Sequence, residues 1–103
     1  MTDERKQATR DRIGLRIAVL RKTFLWPDST REKLHIGMSQ EQLAERAGLQ
    51  RTHISRIEAG KYAVTLETIQ AIAEALGMTV DIVDERLADL TPMKTLTSTA
   101  DVR

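Results

Sequence analysis

A chain of 103 residues has room for one domain with some tail to spare, and without cysteine it has neither a disulfide framework nor a thiolate metal site. One Trp, one Tyr and one Phe leave an aliphatic core of Leu, Ile, Val, Ala and Met, a composition that suits packed helices and argues against a many-stranded sheet. The net charge of +1 conceals a split: residues 1–61 carry 13 Lys/Arg against 8 Asp/Glu, and residues 62–103 carry 3 against 7. A basic front and an acidic back are what a molecule with one end facing a polyanion would show. The charged start, Met1 to Gln7, lacks the apolar stretch of a signal peptide, and no later run is long enough to span a bilayer. The expectation is a cytoplasmic protein with no membrane partner.

In chain order, residues 1–8 are polar and unpatterned and are expected as a flexible N-terminal arm. A helix then starts at Thr9 or Asp11, with an apolar stripe of Ile13, Ile17, Leu20 and Phe24 at spacings of four, three and four. Arg10, Arg12, Arg16, Arg21 and Lys22 occupy its other faces, and Pro27 is expected to end it. Within the stretch 25–37, Asp28 or Ser29 would cap a short helical turn through Leu34, closed by Gly37. Trp26 there either packs locally or meets a partner.

Ser39 followed by Gln42 has the capping-box spacing and opens a helix over 40–47, whose inner face is Leu43, Ala44 and Ala47. Gly48 supplies a left-handed closing residue, Leu49 plugs the turn, and a further helix from Gln50 to about Ala59 buries Ile54 and Ile57. Thr65 caps a fourth helix built on Leu66, Ile69, Ile72, Ala73 and Leu76, ending at Gly77. Beyond it, Val80, Val83, Leu87 and Leu90 form a helical stripe, whereas Met78, Val80 and Ile82 alternate as a short strand over 79–83 would. Residues 91–103 are expected as a disordered tail.

Two short helices joined by a glycine turn make a helix-turn-helix. Ala44 lets the second helix cross closely, while Leu49 and Ile54 lock the crossing angle. The second helix then projects its N-terminal half toward a major groove about 12 Å wide. Its outward positions are Arg51, Thr52, Ser55 and Arg56, flanked by Gln50 and His53. Arginine can bond both acceptors of guanine, and threonine offers a hydroxyl or a methyl to base edges. The helix starts at Gln40 and Gln50 present backbone N–H groups suited to phosphate. His53 is a phosphate or base neighbour, or an exposed side chain.

The run Met38-Ser-Gln-Glu-Gln-Leu-Ala-Glu-Arg-Ala-Gly-Leu-Gln-Arg-Thr-His-Ile-Ser-Arg-Ile-Glu-Ala-Gly-Lys61 resembles the core motif of the lambda-repressor-like, XRE-type helix-turn-helix family. Leu66–Gly77 is similar to that family's fourth helix and Ile13–Lys22 to its first. The DNA-binding domain as a whole is expected over residues 9–90. The resemblance covers roughly residues 11–83 and implies an all-α bundle of four to five helices with polar tails. It implies base contacts from Arg51, Thr52 and Arg56, phosphate contacts from Gln40 and Lys61, and an inward ion pair of Glu58 with Arg21. Two features depart from the family pattern. The connection over 25–37 is about a dozen residues longer than usual, and Gln50 stands where a Ser or Thr cap is common.

His35 and His53 have no ligand cluster around them, and Ser55 has no positioned base, so neither a metal centre nor an enzyme is expected. No cofactor and no small-molecule ligand are implied. The function expected is sequence-specific binding of a double-stranded DNA operator by a homodimer that regulates transcription, most simply as a repressor, since one recognition helix covers few base pairs. Val80, Ile82, Val83, Leu87 and Leu90 are the expected dimer surface. The alternative is an antitoxin that binds a toxin protein and represses their shared operon, and control of a restriction–modification or phage system would use the same chemistry.

Overall fold

The structure, a computed structural model, describes residues 2–79, within which four helices carry all the regular structure except one β-bridge. These are α1 (Asp3–Lys22), α2 (Gln40–Ala47), α3 (Arg51–Glu58) and α4 (Leu66–Ala75). No described helix is long and apolar enough to cross a membrane. The 80–83 part of the helix-or-strand alternative, and all five expected dimer residues, lie outside the described residues.

Residues 3–8, expected as a mobile arm, are helical instead. The Thr2 side chain accepts from the Arg5 N–H at 3.2 Å, and Asp3 and Glu4 sit where the helix dipole favours carboxylates. Gln7 then ties these turns to the body by donating through Nε2 to the Gly60 carbonyl at 2.8 Å. At the other end α1 stops at Lys22, before Pro27 can act. The Thr23 hydroxyl bonds back to the Val19 carbonyl at 2.8 Å, and the chain leaves as an extended strand.

The stretch 25–37 forms no helical turn; it folds as a hairpin. Leu25 and Ile36 make an antiparallel bridge, the Trp26 N–H donates to the His35 carbonyl (3.0 Å), and that of Gly37 donates to Phe24 (2.7 Å). Ser29, expected as a helix cap, crosses the hairpin: its hydroxyl accepts from the His35 N–H and donates to the His35 carbonyl, both at 3.0 Å. Trp26 packs locally. Its indole N–H reaches the Gly37 carbonyl at 2.7 Å, its ring stacks on His35, and Phe24 meets it edge-on. The Arg46 guanidinium of α2 lies 5.4 Å from the centres of both the Phe24 and the Trp26 rings, while its Nε donates to the Ala75 carbonyl of α4. One side chain therefore joins the hairpin to two helices.

The core is aliphatic, as the composition requires. Ile17, Leu43, Ile54, Ile57 and Ile72 are fully buried, and Leu20, Met38, Ala44, Ile69, Ala73, Ala75 and Leu76 complete the cluster. Each large side chain removed from water contributes about 1.5–3 kcal/mol. Leu66, expected in this set, stays 66% exposed because it is the first residue of α4, ahead of the turn that meets the core. α1 and α3 meet closely at Gly14 of α1. A Cβ there would lie 2.7 Å from the Glu58 carbonyl oxygen and closer still to that of Ile57, so α1 crosses the end of α3 backbone to backbone.

Candidate nucleic-acid interface

The α2–turn–α3 unit has the local chemistry its residues dictate. Ser39 and Gln42 cap α2 reciprocally, at 2.9 Å from the Gln42 N–H to the Ser39 hydroxyl and 2.8 Å from the Ser39 N–H to the Gln42 amide oxygen. Gly48 takes φ +73°, and the next N–H, of Leu49, returns to the Ala44 carbonyl at 2.8 Å. Space around Gly48 is open, so backbone conformation, not crowding, selects glycine there. Gln50 begins α3 with no side-chain cap, leaving that first turn's N–H groups to other acceptors.

With Ile54 and Ile57 turned into the core, the opposite side of α3 is fixed. Arg51, Thr52 and Arg56 are exposed on it together with Gln50, while Ser55 is half-buried toward its edge. His53 is half-buried too: its ring meets that of Tyr62 edge-on at 4.6 Å, and its Nε2 is enclosed without a protein partner. Gln50, Thr52, His53, Arg56 and Tyr62 together line a shallow depression on the outer side of the helix. Tyr62 went unread in the sequence because it follows the helix in a segment without periodicity. An aromatic next to Lys61 is the only local signal.

Behind this face lies the ion pair. The Arg21 guanidinium donates Nε to Glu58 Oε2 at 2.6 Å and Nη2 to Oε1 at 2.9 Å, and its Nη1 reaches the Met38 carbonyl at 2.7 Å. Both side chains are about nine-tenths buried. Gln40 joins this network, its Nε2 donating to Glu58 Oε1 at 3.0 Å. The end of α1, the segment entering α2 and the end of α3 thus share one bidentate centre, which sets how far α3 stands from the body. What Gln40 offers a phosphate is then its second amide hydrogen and its backbone N–H. Lys61 is exposed one residue past Gly60, its own N–H held by the Arg56 carbonyl at 2.9 Å.

Electrostatically the site is cationic: Arg51, Arg56 and Lys61 project within one short helix and its exit turn, and no carboxylate of α3 is exposed beside them, Glu58 being turned inward. Such a surface can attract a polyanion and can donate in forked geometry to acceptor pairs on base edges.

Comparison with known proteins places this geometry. The sequence model of the helix-turn-helix family HTH_3 matches residues 31–83. A Neisseria meningitidis protein described as a hypothetical transcription factor is 35% identical over 71 residues, 69% of this chain and 65% of its own length. The immunity repressor protein of Bacillus phage phi105 is 41% identical over 46 residues, 45% of this chain and 32% of its own. The chain thus spans less than two thirds of the length of either relative. Among solved structures, the restriction–modification controller protein C.AhdI of Aeromonas hydrophila superposes with a TM-score of 0.58 at 30% identity, over 74% of this chain and 97% of that one.

Proposed function

Because the chain belongs to the XRE-type helix-turn-helix family HTH_3, we propose that it is a DNA-binding transcriptional regulator that reads its operator through α3, acting as a homodimer and as a repressor. The carrying observation is the exposed Arg51–Thr52–Arg56 face, held at a fixed distance from the body by the Arg21–Glu58 pair. Under this reading Arg51, Thr52, Ser55 and Arg56 meet base edges, and Gln40, Gln50, His53 and Lys61 face the sugar–phosphate backbone. The protein performs no reaction of its own. The names of two proteins it is similar to, an immunity repressor and a restriction–modification controller, support a regulatory role and repression.

The division into readers and holders is tested by competition binding on cognate and random duplexes. Arg51→Ala and Arg56→Ala should each weaken the cognate site by about 1–3 kcal/mol and relax preference at one base pair. Lys61→Ala should weaken both duplexes alike and flatten the salt dependence by about one unit for each protomer bound. Equal losses on both duplexes for all three variants would refute the division. Operator binding that requires the product of a neighbouring gene would select the antitoxin reading, for which exposed Leu25, Leu34 and Ile36 of the hairpin offer an apolar surface.

Dimerisation is assigned to the stripe Val80, Ile82, Val83, Leu87 and Leu90. In the full chain, Val83→Asp with Leu87→Asp should yield a monomer by sedimentation and weaken operator binding far more than binding of a single half-site. A persistent dimer would place the interface elsewhere.

A further inference from the structure

The apolar stripe of α1 does not end where the core ends. Continued toward the N terminus from Ile17 and Ile13, the same spacing of four, three and four reaches Arg10 and then Lys6. The face of α1 that buries Ile17 and Leu20 therefore turns cationic over its first turns. Those turns overhang the exit of the recognition helix. Gln7 Nε2 donates to both the Gly60 carbonyl and Asp11 Oδ1, each at 2.8 Å, and Asp11 occupies the space a Gly60 side chain would need. Lys61 is the next residue. Lys6 is exposed, Arg10 is half-buried, and neither has an ion-pair partner among the described residues.

We propose that these turns form a second contact with the DNA backbone, in which Lys6 and Arg10 bind phosphates flanking the half-site, on the side held by Lys61. The inference rests on the DNA-binding reading above. Two features favour a phosphodiester backbone as the occupant. Neither cation has an ion-pair partner among the described residues, and the helical turns that carry them are tied through Gln7 to Gly60, the residue before Lys61. The geometry also accounts for the first turn of the helix, Asp3 to Lys6, which is exposed throughout and covers none of the core.

The test is binding of the full chain to its cognate duplex across a salt series, with hydroxyl-radical footprinting. Each phosphate neutralised contributes about 0.9 to the slope of log K against log salt. Lys6→Gln with Arg10→Gln should therefore lower the slope by about two for each half-site bound and remove the outermost protections, while those at the centre of each half-site persist. Lys6→Gln alone, at an exposed position, should lower it by about one for each half-site bound. An unchanged slope and unchanged outer protection in the single variant, with a wild-type footprint still lost on Arg51→Ala, would overturn this inference and leave the functional reading intact. A wild-type chain giving no specific footprint would remove both.

Discussion

Gly14→Ala is expected to destabilise the protein by about 1–3 kcal/mol, and Gly14→Val by more, in urea denaturation followed by far-UV circular dichroism. The sign is the informative part. In an open helix interior, glycine to alanine stabilises by roughly 0.5–1 kcal/mol, because alanine loses less backbone freedom on folding. Here the added Cβ would meet two backbone carbonyl oxygens, of Ile57 and Glu58, neither of which can rotate aside as a side-chain end could. Relief requires α1 to move away from α3, which would loosen the packing of Ile17 and Leu20 and stretch the Arg21–Glu58 bonds. A stabilising Gly14→Ala would show that the helices stand further apart than described.

Arg21→Met should cost about 3–5 kcal/mol, the loss typical when one partner of a buried pair is removed and the other charge stays behind. Among the described residues Glu58 would keep only the Gln40 amide, and the Met38 carbonyl would lose its Arg21 donor. The double change Arg21→Met/Glu58→Met should recover most of that loss, since replacing both charges by apolar groups of similar volume is often neutral or better. DNA affinity should not recover in parallel. The bidentate centre specifies the distance and angle of α3, and two flexible methionines specify neither. Stability and operator affinity, measured on the same three proteins, separate the two contributions. Full recovery of both would reduce the pair to packing.

Much of the recognition unit was legible in the residues because its determinants are local. Ser39 and Gln42 are three apart, Gly48 requires a left-handed φ, and Ile54 and Ile57 mark one side of a helix; none of these needs a distant partner. The family resemblance added the Arg21–Glu58 pair, whose members are 37 positions apart and carry no local signature. What stayed hidden depends on contacts between remote segments. Residues 3–8 look unpatterned until Gln7 is seen to reach Gly60, 53 positions away. The hairpin at 25–37 has the turn residues of a short helix, and Ser29 could cap one. The choice is made by His35 on the opposite strand and by Arg46 from α2, which no windowed pattern connects. Gln40 likewise reads as a phosphate contact at a helix start, and only the packed structure shows its amide on Glu58.

The chain contains a single tryptophan, and its indole lies under the guanidinium of Arg46, against the imidazole of His35 and bonded to the Gly37 carbonyl. The protein therefore carries its own optical probe, placed where the hairpin docks and away from the arginines of α3. Its ultraviolet emission reports the state of the hairpin against α2 and α4. Light from Trp26 and ellipticity from the helices can then be followed side by side as denaturant is added. Where the two curves coincide, hairpin and bundle melt as one cooperative unit; where the emission moves first, the hairpin is a separate and weaker one.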